Sequence, residues 1–199
     1  MIAWINFFVL IFSTILFVQL YNISVSPAFF ENQWGEKAYI RCGFIRVWSM
    51  IFMSVACANY IVFCFYPLPV DNFVPLHFPW AWRVSVIIAI IICIPSLTLM
   101  IKGMMDAGSE LAVPDKSHKM YKGLYDKMRH PQAAGEVFLF MVIAFACHSP
   151  FLVIYSLLWF PAFYIISLAE EKDLVLRYKT DYVQYQKQVG MFWPRKPKA

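Results

Sequence analysis

Charged side chains are scarce in this 199-residue sequence: Asp, Glu, Lys and Arg make up 15% of it, whereas 61% of the residues are hydrophobic. A soluble domain usually carries about 25% charged residues. Because a chain this apolar cannot cover its own surface with polar groups, the composition argues against a soluble protein. It predicts instead that lipid is the solvent.

Several motifs are also missing. None of the seven glycines forms a G-x-G, which argues against a soluble Rossmann-type site. The five cysteines lie in apolar sequence without C-x-x-C spacing or His pairing, so we interpret them as small hydrophobic residues. We expect neither a disulfide framework nor a metal site. The basic segments lack any nucleic-acid-binding motif, which argues against nucleic acid as a partner.

Long apolar runs are what the sequence does contain. They predict an all-α, multi-pass transmembrane bundle of about five spans, forming a single domain over residues 1–199. The first run lacks a basic segment and an A-x-A cleavage site, so we expect a retained span rather than a signal peptide. Only three residues separate the last two runs, which should form a tight antiparallel hairpin. The predicted spans are Ile2–Tyr21, Val47–Phe65, Val84–Ile101, Ala133–Cys147 and Phe151–Ala169.

The Lys and Arg residues predict how the spans are oriented. Thirteen of the 17 lie in Lys102–Pro131 and Glu170–Ala199, which five spans place on the same side of the membrane. The loops 67–82 and 148–150 on the opposite side contain none. The positive-inside rule therefore predicts that the long loop and the C-terminal tail are cytoplasmic. The same reading assigns three spans to residues 1–101, and the polar loop, the hairpin and the tail to residues 102–199.

Two smaller predictions concern segments that flank the spans. Arg41 and Arg46 precede the second span and are placed to snorkel toward the interface. The segment Glu170–Val189 is predicted as one helix that continues from the fifth span into water. Its apolar positions recur at helical spacing, so one face should pack against the rest of the protein.

The most concentrated polar segment is His118–Pro131, immediately before the fourth span. Pro131 suits the first turn of a helix, where its missing N–H costs nothing. The backbone N–H groups of Gln132 and its neighbours would then face the loop, ready for an anion or a polar ligand. The segment could equally be an interfacial loop of cations beside lipid headgroups, and the residues alone leave both interpretations open.

Three acidic residues also stand out. Glu170 and Glu171 lie where the fifth span ends, a place where basic anchors are usual. A carboxylate there could bind ribose hydroxyls or compensate a cation, or the pair could belong to a solvated helix turn. Glu136 lies about one turn into the fourth span, where a charge costs about 2–3 kcal/mol unless it is paired or hydrated. Either it faces a ligand within the membrane, where it could orient or deprotonate an amine, or it contacts a cation of the loop.

The pattern G-x-Y-x-x-x-R-H-P before a membrane hairpin, followed by E-E-x-x-L and three spaced tyrosines, resembles a known superfamily. It is that of the isoprenylcysteine carboxyl methyltransferases and phospholipid methyltransferases, and the resemblance covers roughly residues 100–195. The positions that carry it are Gly123, Tyr125, Arg129, His130, Pro131, Glu170, Glu171, Leu174, Tyr178, Tyr182 and Tyr185.

The resemblance implies a site for S-adenosylmethionine and a lipid or other hydrophobic acceptor that enters from the bilayer. A helix N-terminus suits the cofactor's carboxylate, aromatic rings suit its adenine and sulfonium, and a carboxylate suits its ribose or its cation. The candidate catalytic residues are Arg129 and Glu136. The candidate cofactor-binding residues are His118, Lys119, Met120, Tyr121, Tyr125, Arg129, His130, Pro131, Gln132, Glu170 and Glu171.

The sequence departs from this superfamily at three places. Ala133 stands where a Tyr often follows R-H-P-x, which widens the acceptor side, and the stretch His118–Tyr125 is one residue shorter. Ile166 replaces an Arg that would face a substrate carboxylate, so an amine-bearing lipid or small hydrophobic acceptor ranks above a prenylcysteine. The alternatives are a nicotinamide-dependent reductase resembling the sterol reductases, or a lipid-binding membrane protein without catalysis. The sequence gives no indication of the oligomeric state.

Overall fold

The computed structural model describes residues 1–70, 72–108 and 122–195, and 80% of the structure is helical, with no strand among the described residues. The all-α prediction is therefore confirmed. Two 3₁₀ turns, Gly35–Lys37 and Gly123–Asp126, connect longer elements. The helices are α1 (Ile2–Ser24), α2 (Pro27–Trp34), α3 (Ala38–Phe65), α4 (Trp82–Ala107), α5 (Pro131–Ala146), α6 (Pro150–Ser156), α7 (Trp159–Tyr178) and α8 (Thr180–Gln188).

Within the described residues, four helical stretches are long and apolar enough to cross a membrane, and α5 is a shorter apolar helix that matches the fourth predicted span. The four are formed by α1, by α2 with α3, by α4, and by α6 with α7. Large apolar side chains point outward from them: Phe12 is 61% exposed and Ile91 is 64% exposed. Such surfaces suit contact with acyl chains rather than water, so the protein is an integral membrane protein.

Helices α4 and α5 pack closely because glycines lie between them. A Cβ on Gly135 would collide with the carbonyl oxygen of Ser96 and lie 2.6 Å from the backbone nitrogen of Met100. A Cβ on Gly103 would lie 2.8 Å from the backbone nitrogen of Gln132. Small residues of this kind allow close backbone approach between membrane helices. The contact fixes the start of α5, where the candidate site lies.

The centre of the bundle is an aromatic cluster that ties α3, α5 and α7 together. Trp159 stacks on Phe140 with ring centroids 3.7 Å apart, and its indole N–H donates to the Tyr60 hydroxyl at 3.0 Å. The Tyr60 hydroxyl also lies 3.1 Å from the Ser156 hydroxyl. Each polar tip therefore has a partner inside the apolar core, as buried Trp and Tyr require.

The expectation that no disulfide forms is wrong, because Cys64 and Cys147 are bonded to each other. The bond joins the last turn of α3 to the residue that follows α5, across 83 residues of sequence. Motif spacing could not reveal it, since the helix packing alone brings the two thiols together. The other three cysteines (Cys42, Cys57 and Cys93) are free thiols.

Two further expectations also need correction. The tail is not one helix: it breaks at Lys179, whose φ is +51°, so that α8 turns back toward the bundle and buries Tyr182. Arg46 does not snorkel, because its side chain faces α1 and donates a hydrogen bond to the Ser24 carbonyl at 3.1 Å. Arg41 remains exposed, with its guanidinium 5.6 Å from the centroid of the Trp34 ring.

Candidate active site

The segment before α5 is docked onto the end of α4 by a turn that requires glycine. Gly123 has φ +71°, a conformation that side chains disfavour, and a Cβ there would collide with the Asp106 carboxylate. The same carboxylate accepts the backbone N–H of Leu124 at 2.8 Å. The turn therefore begins at a fixed point, and Tyr125 becomes buried two residues later.

The Arg129-His130-Pro131 turn is held from the other side by the C-terminal segment. The backbone N–H of Arg129 donates to the Gly190 carbonyl at 2.9 Å, and that of His130 donates to the Met191 carbonyl at 3.0 Å. Pro131 then begins α5 and is fully buried. Two extended segments far apart in sequence thus fix the backbone of the turn.

Side chains of the turn form an ionic network with the paired glutamates. Arg129 Nε donates to Glu171 Oε1 at 2.6 Å, and His130 Nε2 lies 3.1 Å from the same oxygen. His130 Nδ1 lies 3.4 Å from Glu170 Oε2. The second Glu171 oxygen accepts from Gln186 Nε2 of α8 at 2.9 Å. The network therefore connects the turn, α7 and α8.

His130 has a shifted pKa because of these two carboxylates. Burial of the imidazole on its own would lower the pKa, but the hydrogen bonds and negative charges of Glu170 and Glu171 outweigh it and raise the pKa above its usual value. Both ring nitrogens face carboxylate oxygens, which matches an imidazolium that donates on both sides. The protonated form is thus the one that completes the network.

The two glutamates have different surroundings. The Glu171 side chain is 9% exposed and is surrounded by Arg129, His130 and Gln186. The Glu170 side chain is 33% exposed and lines two neighbouring cavities. Glu171 is therefore placed to hold the turn together, whereas Glu170 is placed to meet a ligand.

Three cavities meet around the turn. We call the first the polar cavity; it lies between α1, α3, α5 and α7. The second, the tyrosine cavity, shares Tyr125 and Glu170 with it and is also lined by Tyr178, Tyr182 and Tyr185. The third, the apolar cavity, shares Ala133 and Phe163 with the polar cavity. The polar side chains that line the polar cavity include Tyr21, Arg46, Gln132, Glu136, Glu170 and Arg177.

Most of the sequence-predicted site residues come together here. Glu136 lines the polar cavity and accepts a hydrogen bond from Gln132 Nε2 at 2.9 Å, one helical turn away. Pro131 serves as the first residue of α5 and lines none of the three cavities. Tyr125, Arg129, His130, Gln132, Glu136, Glu170 and Glu171 all contribute to the cavities or to the ionic network. The predicted residues His118, Lys119, Met120 and Tyr121 lie outside the described residues.

Sequence reasoning missed the residues that α1 and α3 bring to the polar cavity. Tyr21 enters from α1 and Arg46 from α3, although the N-terminal spans carried no site prediction. Arg46 could have been found as a charged residue beside an apolar run, but we assigned its side chain to the membrane interface. Ser167 and Arg177 of α7 also line the polar cavity and were not singled out.

A helical membrane bundle with a buried R-H-P turn, paired glutamates and a polar cavity at one end has the layout of an integral membrane enzyme. Residues 84–181 match the model of the phospholipid methyltransferase family. This match places the region within the isoprenylcysteine and phospholipid methyltransferase superfamily and supports a membrane methyltransferase in general. Searches of the curated proteins and of the solved structures found no match.

Proposed function

We propose that this protein transfers a methyl group from S-adenosylmethionine to a lipid or other hydrophobic acceptor that enters from the bilayer. The observation that carries the proposal is the meeting of the polar cavity with the apolar cavity at Ala133 and Phe163. A polar donor and an apolar acceptor can thereby approach each other from different directions. The family match supports methyl transfer in general.

The side chains present fit the cofactor. S-adenosylmethionine carries a sulfonium, a ribose diol, an adenine ring, an ammonium and a carboxylate, and when bound it supplies an electrophilic methyl group. The partly exposed Glu170 lies where the polar and tyrosine cavities join, a position suited to the ribose hydroxyls or the sulfonium. The faces of Tyr178, Tyr182 and Tyr185 suit the adenine ring and the sulfonium.

We assign the other residues of the site to positioning the methyl donor and the acceptor. Arg129, His130 and Glu171 hold the turn rigid, so the donor side does not shift when an acceptor arrives. Glu136 faces the polar cavity and can orient an acceptor amine or take its proton on a carboxylate oxygen. In-line alignment of the donor methyl group with the acceptor then supplies most of the rate.

The acceptor's hydrophobic part is assigned to the apolar cavity. Its walls include Leu99 of α4, Phe138 of α5 and Phe160 of α7, and the tail residues Phe192 and Trp193 complete it. Ala133 stands at the junction with the polar cavity, where a larger side chain would narrow the passage. This arrangement supports an acceptor with an apolar chain and a reactive polar end.

We also propose that the site faces the cytoplasm. The basic tail segment lies at the same end of the bundle as the site, in agreement with the positive-inside rule. The Cys64–Cys147 disulfide lies at the opposite end. Disulfides persist in oxidising compartments, so its position supports the same orientation.

The test uses the purified full chain in nanodiscs. S-adenosylhomocysteine should bind by isothermal titration calorimetry, and Glu170→Ala should weaken that binding about tenfold or more, as expected for a lost charge-assisted contact. Glu36→Ala, at an exposed carboxylate outside the site, is the matched control. Labelled S-adenosylmethionine and a total lipid extract should then give a labelled lipid. Absence of binding and of labelled product would remove the proposal, and binding of NADPH instead would favour the reductase.

A further inference from the structure

Arg46 brings a positive charge into the polar cavity from a part of the chain outside the family match. It lies eight residues, or about two turns, into α3, which begins at Ala38. The residue is 7% exposed, and its guanidinium lies 6.0 Å from the centroid of the Tyr21 ring. A cation buried inside an apolar bundle is costly, and in membrane proteins it commonly marks a functional site.

The other cations of this region are engaged in the architecture of the protein. Arg177 Nε donates to Asp173 Oδ2 at 2.8 Å, and the same carboxylate accepts the backbone N–H of Phe29 at the start of α2. That pair therefore ties α7 to α2. His130 lies between Glu170 and Glu171 and, through Glu171, helps to hold the turn. Arg46 also has a structural contact, because it donates to the Ser24 carbonyl of α1, and it lines the polar cavity together with His130 and Arg177. Unlike those two residues, it enters the cavity from α3, outside the family-matched region.

The position of Arg46 also changes how Ile166, which replaces an Arg of the superfamily pattern, is interpreted. The sequence suggested that Ile166 leaves a ligand carboxylate without a counter-ion. Ile166 and Arg46 line the same polar cavity, so α3 supplies a cation to a region where α7 presents an isoleucine. A guanidinium is suited to this task, because its planar N–H groups bind phosphate or carboxylate in pairs.

We propose that Arg46 binds the acidic group, a phosphate or a carboxylate, of a ligand in the polar cavity; this inference rests on the proposed function. Glu136 lines the same cavity, so the two side chains together match a ligand that carries both an acidic group and an amine. The amino-acid end of S-adenosylmethionine has this chemistry, and so does the headgroup of an aminophospholipid.

The experiment compares wild type, Arg46→Gln and Arg46→Lys in nanodiscs, with Arg41→Gln as the control on the exposed face of the same helix. Four probes are titrated separately by calorimetry. S-adenosylhomocysteine is paired with its decarboxylated analogue, and dihexanoylphosphatidylethanolamine is paired with hexylamine. Arg46→Gln should weaken one acid-bearing probe about ten- to hundredfold while leaving its acid-free partner unchanged. The pair that responds identifies the source of the acidic group.

The outcomes separate this inference from the proposed function. Equal affinities of wild type and Arg46→Gln for every probe would overturn the inference. An equal loss of affinity in the Arg41→Gln control would also overturn it, and so would a wild type that binds neither acid-bearing probe. A wild type that binds only the phospholipid, with a loss in Arg46→Gln, would support the inference while the proposed methyl donor fails. If Arg46→Gln does not fold, Arg46→Lys decides: the inference requires weaker binding of the acid-bearing probe, since an ammonium lacks the paired N–H geometry.

Discussion

Replacing Glu171 by Gln should destabilise the protein strongly, because it removes the negative charge at the centre of the ionic network. The carboxylate is 2.6 Å from Arg129 Nε and 3.1 Å from His130 Nε2, and all three side chains are at most 10% exposed. Removing one partner of a buried ion pair costs about 3–5 kcal/mol, because it leaves the other charge buried. At about 2–4 °C per kcal/mol for a chain of this size, the unfolding midpoint should fall by about 6–20 °C.

The assay is thermal unfolding of the purified protein in nanodiscs. Glu36→Gln, an exposed carboxylate before α3, is the control and should shift the midpoint by no more than about 2 °C. A second variant, Arg129→Gln with Glu171→Gln, removes both charges and should recover part of the lost stability. A midpoint for Glu171→Gln equal to that of wild type would refute the reasoning. The reasoning would also fail if the midpoint of the double variant fell by the sum of the decreases measured for Arg129→Gln and Glu171→Gln alone, since the two side chains would then not be coupled.

Three other predictions test the site and its orientation. The pKa of His130 is raised in the folded protein, so the protonated imidazole stabilises the fold fully below its usual pKa of about 6.5, and this stabilisation is lost as the pH rises through the pKa of the folded state. The thermal unfolding midpoint should therefore fall over that pH range, and His130→Gln should make the midpoint less dependent on pH. Glu136→Gln should lower turnover with lipid acceptors, and unchanged turnover would exclude a role for Glu136 in the reaction; its S-adenosylhomocysteine affinity should equal that of wild type where the lipid supplies the acidic group for Arg46, and should fall where the methyl donor supplies it. After reduction, an impermeant maleimide added from outside the cell should label Cys64 and Cys147, with a Cys64→Ser, Cys147→Ser variant as the control; labelling only after the membrane is opened would reverse the orientation.

The sequence predicted the features that leave a local signal. An apolar run long enough to cross a bilayer is read directly from composition, so the spans were located to within a few residues, apart from the earlier start of α3 and the later ends of α4 and α7. The Arg129-His130-Pro131 turn and the paired glutamates were also expected to meet. They do, because the hairpin between α5 and α7 returns the chain to the end where α5 begins.

The features that were missed depend on contacts between distant residues. The Cys64–Cys147 pair is 83 residues apart and is visible only when α3 and α5 are packed. The backbone of the Arg129-His130-Pro131 turn is fixed by hydrogen bonds to the carbonyls of Gly190 and Met191, and no side-chain pattern encodes these backbone contacts. The break at Lys179 occurs without Gly or Pro, so no residue type indicated it.

Arg46 shows why a charge near a span is hard to interpret from sequence. Snorkelling and inward burial place the same residue at the same depth, and they differ only in which face of α3 the side chain occupies. That face is decided by the packing of α1 against α3, which offers the Ser24 carbonyl and the Tyr21 ring on the inner side. The helical period alone could not identify the inner side, because α3 is apolar around most of its circumference.

The site is therefore assembled from two parts of the chain with different duties. The family-matched region 84–181 supplies the R-H-P turn, Glu136 and the paired glutamates, which are the residues we assign to the methyl donor and to the reacting amine. The spans before residue 84 supply Tyr21 and Arg46, which face the same polar cavity. Exchanging the charge at Arg46 should then alter which ligand is held without disturbing the turn, since none of the turn's described hydrogen bonds involves α3. The proposed role of Arg46 in binding a ligand can therefore be tested separately from the framework of the turn.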